Sequence, residues 1–404
     1  MKKSLFTLFL AAASLVAQAQ TDSTDAGKFT ISGYIDSYYL TAFNSPRSGN
    51  LMGYQGDEVL RAGRAFDRLD KQFALGLVQT KFAYSNSKSE MVIDLTFGPN
   101  AQLGNFGNTT NANLYVPDNA YVAPLYGTSA AIKQAYFTYK ATPKLSFTVG
   151  QFGTHIGYEV IDAPVNYHYS LSNLFNNGPF YHVGLKASYA FSDNAGLMLG
   201  LVNNWDNLTD DKKQKSIVGQ FFFKPLDTWS VYLNYIGGYS DDTYLTYAVK
   251  QGGANPILTN YTRQMVDLTT SFQVTDKFYL GLNAAYGFYS FNTGSSEDED
   301  FIKGAFNKTS PDWGGVALYT NYAISDAFGI GVRYEHFQDK NRVRYIQTVN
   351  NSLTVTTPIS LAAGKLMVKP ELRIDTATNG YYENSKGEAT NSQTTLGVAF
   401  IYSY

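Results

Sequence analysis

The chain has 404 residues, of which 44% are hydrophobic and only 16% charged, with a net charge of −2 and no cysteine. Its 32 tyrosines outnumber its 31 lysines and arginines, and 15% aromatic content excludes an intrinsically disordered chain. The lack of cysteine excludes a disulfide framework and a thiolate metal centre. Near-neutral charge provides no basic footprint for nucleic acid.

Residues 1–19 carry the parts of a secretory signal peptide. Met1-Lys2-Lys3 is basic, residues 5–16 are apolar, and Ala17-Gln18-Ala19 places small residues at −3 and −1, so cleavage is expected before Gln20. The apolar run is too short to cross roughly 30 Å of hydrocarbon as a helical anchor. No cysteine follows for a lipid anchor. Residues 20–404 then form one unit, and no later segment is apolar for long enough to be a transmembrane helix.

What recurs instead is apolar–polar alternation with the period of a β-strand. Strands are expected near 29–40, 72–84, 89–97, 131–140, 145–151, 180–190, 195–203, 216–224, 229–238, 264–274, 278–291, 313–324, 327–337, 352–361, 366–375 and 393–404. In the fifteenth, Leu366, Val368, Pro370, Leu372 and Ile374 alternate with Met367, Lys369, Glu371, Arg373 and Asp375. The fourteenth contains Pro358, which disfavours a central strand, and residues 341–347 offer an alternative partner. The count is therefore about sixteen, with 14–18 as its range.

Alternation alone fits a soluble sandwich as well as a membrane barrel. Three features favour an all-β transmembrane antiparallel β-barrel. Short turns (85–88, 141–144, 192–194, 225–228, 275–277, 325–326, 362–365) alternate with long polar loops, as in barrels with short periplasmic turns and long extracellular loops. Aromatic residues cluster at strand ends (Tyr38-Tyr39, Tyr136, Tyr139, Tyr189, Trp229, Tyr286, Phe288, Trp313, Tyr334), where interfacial girdles would lie. Last, Leu396, Val398, Phe400, Tyr402 and Tyr404 form one apolar face of a strand ending on an aromatic, suited to recognition by the barrel-insertion machinery. A barrel of this size leaves an aqueous channel.

Gly33-Tyr34-Ile35-Asp36-Ser37-Tyr38-Tyr39, the run from Gly150 to Glu159, Asn166-Tyr167, Ser170 and Gly178-Pro179-Phe180-Tyr181 together resemble the OmpL-like beta-barrel porins of Gram-negative outer membranes. The resemblance implies outer-membrane location, passive diffusion of small hydrophilic solutes, and contact with outer-membrane lipids. By analogy with other sixteen-stranded porins it also admits a homotrimer. It implies further that the third long loop, residues 152–179, folds inward, so that His155, Tyr158, Glu159, Asp162, Tyr167 and His168 set the constriction. An ordinary surface loop is the alternative.

Strand phase assigns Asp36, Glu90, Asp94, Asp267, Glu335, Glu371 and Asp375, with Lys81, Lys186, Arg333, Lys369 and Arg373, to the lumen. The acids outnumber the bases, which leans towards cations, but neighbours such as Arg333/Glu335 and Lys369/Glu371/Arg373 are equally expected to pair across strands. The first loop carries Arg47, Arg61, Arg64, Arg68 and Lys71, read as a solvated loop, with a basic vestibule as the alternative. Glu297-Asp298-Glu299-Asp300 lacks the spacing of a calcium loop and reads as a solubilising tip.

No catalytic residue, cofactor or metal is expected. Only four histidines exist, with no Gly-x-Ser-x-Gly or His-Glu-x-x-His motif. Two other readings stay open: a sugar-type specific channel using Tyr34, Tyr38, Tyr232, Tyr279 and Tyr319, and a non-conducting barrel for adhesion or structure.

Overall fold

In the computed structural model, described for residues 27–48, 64, 66–105, 127–209, 214–240, 261–291, 296–306, 308–341, 343–344 and 348–404, strands dominate. In chain order they are β1 (Lys28–Ala42), β2 (Gln72–Ser85), β3 (Ser89–Phe97), β4 (Ile132–Lys140), β5 (Leu145–Gly153), β6 (Tyr181–Ser192), β7 (Ala195–Asn203), β8 (Lys215–Leu226), β9 (Trp229–Ser240), β10 (Tyr261–Gln273), β11 (Phe278–Phe291), β12 (Asp312–Ala323), β13 (Gly329–Gln338), β14 (Val349–Thr356), β15 (Ile359–Leu361), β16 (Leu366–Ala377), β17 (Tyr382–Glu383), β18 (Ala389–Thr390) and β19 (Ser392–Ser403). The small hairpin β17–β18 stands apart in a loop. The others form one antiparallel sheet that closes when β1 pairs with β19 along Tyr34↔Ser403 to Ala42↔Thr395.

β14 and β15 are two pieces of one crossing, both paired to β16 and separated at Pro358. The wall is therefore a 16-stranded antiparallel barrel. Proline lacks the N–H that a ladder needs, yet its carbonyl still accepts from Gly329 N at 3.1 Å, and Thr357 N donates to Pro370 O at 3.0 Å. The break lies near the short-turn end, so the crossing survives it. Residues 343 and 344 are not in a strand. The predicted signal peptide lies outside the described residues.

The expected alternation is resolved in space. Phe29, Ile31, Met91, Ile93, Leu199, Leu201, Val316, Leu318, Leu372, Ile374, Phe400 and Tyr402 stand exposed on the outer face. Their strand neighbours point inward and are buried, including Asp94, Ala317, Arg333, Arg373, Ala399 and Ile401. An apolar band around the whole circumference would be untenable in water and is what a lipid bilayer requires. Tyr189, Trp229 and Tyr286 face outward towards strand ends and Tyr334 faces outward at mid-strand opposite Leu318, but Tyr38 and Trp313 turn inward and are buried. These two therefore do not belong to an outer girdle.

At the long-loop end, Trp205, Tyr261, Tyr289, Ile302, Phe306, Trp313 and Phe337 belong to one buried cluster. The acidic segment lies in a helix, Ser296–Phe306, with Glu299 and Asp300 exposed beside Lys303 (3.7 and 3.6 Å) while Ile302 and Phe306 are buried. Phe306 stacks on Phe291 at 5.6 Å.

Candidate functional site

The connection between β5 and β6 runs inside the barrel, held by side chains from strands around the wall. Arg333 of β13 donates to Glu159 Oε1 at 2.5 Å and to the Ser170 carbonyl at 2.6 Å. Glu335, two residues on and on the same inner face, accepts the backbone N–H groups of Asn173 and Leu174 at 2.8 Å each. These open a short loop helix, Asn173–Asn177, whose cap Ser172 accepts from Phe175 N. A carboxylate and a serine thus satisfy the free N–H groups of that helix start. β16 contributes Lys369 to the Ala163 (2.7 Å) and Asn166 carbonyls, Glu371 to Tyr169 N (2.8 Å) and Ser170 N (3.1 Å), and Arg373 to the Leu171 carbonyl (2.8 Å).

On β1, Asp36 accepts from the Tyr169 hydroxyl at 2.7 Å and from Leu77 N. A bulge opposite Asp36 makes room, since the β1–β2 register slips between Ile35 and Ser37. Gly76 sits in that slip, and a Cβ there would meet Asp36 Oδ2 at 2.2 Å, so the carboxylate needs glycine at this position. On β10, Asp267 accepts from Gly157 N at 3.0 Å, Asn234 at 2.8 Å and Asn283 at 2.5 Å.

The loop's own side chains complete the set. Asp162 accepts from Lys133 (2.5 Å) and Gln79 (2.8 Å). His168 Nδ1 lies 2.7 Å from Thr356 Oγ1, and His155 Nε2 lies 3.1 Å from the Tyr235 carbonyl. Tyr158 donates to Tyr279 at 3.1 Å and stacks on Tyr319 at 4.3 Å. Burial holds the His155 imidazole down at about 4. His168 is also held well below its usual value, by burial and by Arg333, Lys369 and Arg373.

The expected pairing within Arg333/Glu335 and Lys369/Glu371/Arg373 is not what the wall does. Arg333 bonds to Glu159 rather than Glu335, and Lys369 to loop carbonyls rather than Glu371. Arg373 pairs with Asp375 of its own strand at 2.9 Å. Fully buried charges need partners on every side, and the inserted loop supplies most of them from the lumen, with Arg64 of the first loop serving Asp375. Asp94 takes Gln79 (3.1 Å), Gln134 (3.2 Å) and Lys133 (3.4 Å). Lys81, Glu90 and Lys186 stay half-buried, away from the charges clamped on the loop, and Lys186 lies over the Phe152 ring at 4.3 Å.

Sequence phase missed Lys133 and Arg64. A bulge between Asp94 and Leu95 in the β3–β4 pairing leaves Lys133 as the extra residue, so both it and Gln134 reach Asp94. Arg64, expected in a solvated loop, is buried between Asp67, Thr395 (2.6 Å) and Asp375 (3.3 Å). Lys71 keeps the solvated character, on Ser45 at 2.8 Å, and Arg61 lies outside the described residues. Of the tyrosines considered as a sugar track, Tyr34, Tyr38 and Tyr319 are buried, whereas Tyr232 and Tyr279 remain half-buried.

Residues 28–404 match the family model described as putative beta-barrel porin-2, OmpL-like. The chain belongs to this family. No curated protein matches it. Among solved structures, the loop L8 deletion mutant of OmpT from Vibrio cholerae aligns with a TM-score of 0.55 at 12% identity, covering 94% of this chain and 100% of that one. The outer membrane channel DcaP of Acinetobacter baumannii gives 0.54 at 10% identity, covering 94% and 97%. The anion-selective porin from Comamonas acidovorans gives 0.55 at 9% identity, covering 94% and 100%. At such identities the likeness is one of fold. Family and fold together are those of outer-membrane channels, not enzymes. In this porin, the short turns then face the periplasm and the long loops the exterior.

Proposed function

We propose that this porin is a water-filled channel for the passive diffusion of small hydrophilic solutes and ions. The observation that carries the reading is a polar lumen narrowed by a loop clamped mainly to β1, β10, β13 and β16 of the wall. Glu90, Thr138, Lys186, Ser188 and Gln220, on β3–β8, are left half-buried. Two cavities, of about 810 and 540 Å³, are lined in part by the short turns of the periplasmic end. A loop fixed by buried ion pairs is a static restriction, suited to sorting by size.

The same reading places residues 1–19 as the export signal, the outer apolar band against outer-membrane lipids, and the strand ending at Tyr404 as the feature that the insertion machinery recognises. It takes the homotrimer as the assembly, as in the trimer form of OmpT of Vibrio cholerae. Swelling of liposomes containing the refolded protein tests the channel. Neutral solutes of increasing mass should enter at steadily falling rates. Vesicles as tight as protein-free ones would contradict the reading.

A further inference from the structure

The larger cavity lies on the periplasmic side of the inserted loop, and its chemistry is unlike that of the clamped region. Its volume of about 810 Å³ falls in the range that encloses a small organic ligand, roughly 300–1,000 Å³. Tyr158, Tyr232, Tyr279 and Tyr319 contribute aromatic surface. Gln220, Ser271 and Asn321, from β8, β10 and β12, contribute amides and a hydroxyl. Three buried polar atoms of lining residues, Asn321 Oδ1, His168 Nε2 and the Tyr319 hydroxyl oxygen, have no hydrogen-bond partner among the described residues. Each such atom in a folded protein calls for an explanation, and a solute bound in the cavity is one.

The ionic groups that reach this cavity are already committed or stand at its mouth. Glu159 holds Arg333 and Ser172 N, and Lys369 holds two loop carbonyls. Asp276, Lys277 and Asp326 belong to the short turns at the entrance. An ionised solute inside would find no free counter-charge and would lose its hydration without compensation. An apolar solute would strip water from amides and hydroxyls that are only partly paired, Gln220 donating to Asn234 at 2.8 Å and Tyr158 to Tyr279 at 3.1 Å. A solute with hydroxyls on its edges and C–H groups on its faces meets both demands, because amides and hydroxyls take the edges and tyrosine rings the faces.

We infer that this periplasm-facing cavity is a binding site for a neutral polyhydroxylated solute of mono- or disaccharide size. The inference rests on the channel reading and deepens it from size sorting to a class of preferred cargo.

The test uses the refolded full chain with maltose, glucosamine and gluconate as neutral, cationic and anionic probes. In planar bilayers, maltose added on the periplasmic side should reduce the ion current saturably, and the two charged probes should not. Calorimetry in detergent measures maltose binding without requiring conduction, so a silent channel that still binds maltose would remove the diffusion reading while leaving the site. Tyr232→Ala and Asn321→Ala, each verified as folded by its heat-modifiable electrophoretic mobility, should weaken maltose binding by about five- to tenfold. No saturable binding of maltose, tighter binding of either charged probe, or wild-type affinity in both variants would overturn the inference.

Discussion

Arg333 shows how much a single inner-face residue carries. Its guanidinium is fully buried and joins β13 to Glu159 and Ser170 of the loop. Arg333→Ala leaves Glu159 buried without its cation, which should loosen the loop by roughly 3–5 kcal/mol. Limited proteolysis of residues 154–180 should become faster, and Arg333→Leu combined with Glu159→Leu should be milder than the single change. The histidines predict a pH dependence. His168 faces Arg333, Lys369 and Arg373, and His155 faces Lys186, so every charged neighbour named here opposes protonation. A detached loop binds the proton at the ordinary value near 6.5, the clamped loop only near 4 for His155. The clamped form is therefore fully favoured above 6.5 and loses stability as pH falls through that window. Loop protection from protease should decline between pH 6.5 and 4, and His155→Gln should flatten the decline.

At the scale of elements, the strands were readable from the alternation, whereas the inward fold of residues 152–179 was expected only from the family resemblance and its wall partners not at all. Each crossing in the chain from β1 to β19 begins and ends within about three residues of the alternation pattern, because lipid outside and polar groups inside impose period two on every one. The same pattern puts Arg333, Glu335, Lys369 and Glu371 on one face of their strands, and all four are buried in the structure. It is silent on their partners, since a loop has no period. It also fails at bulges, which is why Lys133 went unseen and why the room made for Asp36 depends on Gly76. Glycine placement offers a direct probe of loop seating. Tyr167 lies across Gly331, where a Cβ would meet its ring at 2.3 Å. Gly331→Val should displace the loop and raise single-channel conductance, and Tyr167→Ala in that background should relieve part of the clash. On the opposite face of the sheet, Leu318 is exposed at mid-strand on β12. Leu318→Arg should lower folding stability in bilayers by roughly 2–4 kcal/mol, measured by denaturant titration, while leaving conductance per open channel unchanged.

For the whole molecule, a count of acids and bases on the inner face does not predict selectivity. Asp36, Asp267, Glu335, Glu371 and Asp375 are buried in hydrogen bonds, and Arg333, Lys369 and Arg373 are likewise spent on the loop or on one another. The half-buried charges Lys81, Glu90 and Lys186 are few and of mixed sign, so the field along the path is weak and ionic discrimination should be slight. This separates two roles that sequence phase had merged: charges that build the restriction and the sparse groups that a solute meets.

The most direct measurement is single-channel conductance of the refolded, heat-modifiable protein in a planar bilayer under a salt gradient. Discrete open steps with a reversal potential close to zero are the predicted result. A verified barrel that passes no current would contradict the account, by showing that the inserted loop closes the lumen rather than narrowing it.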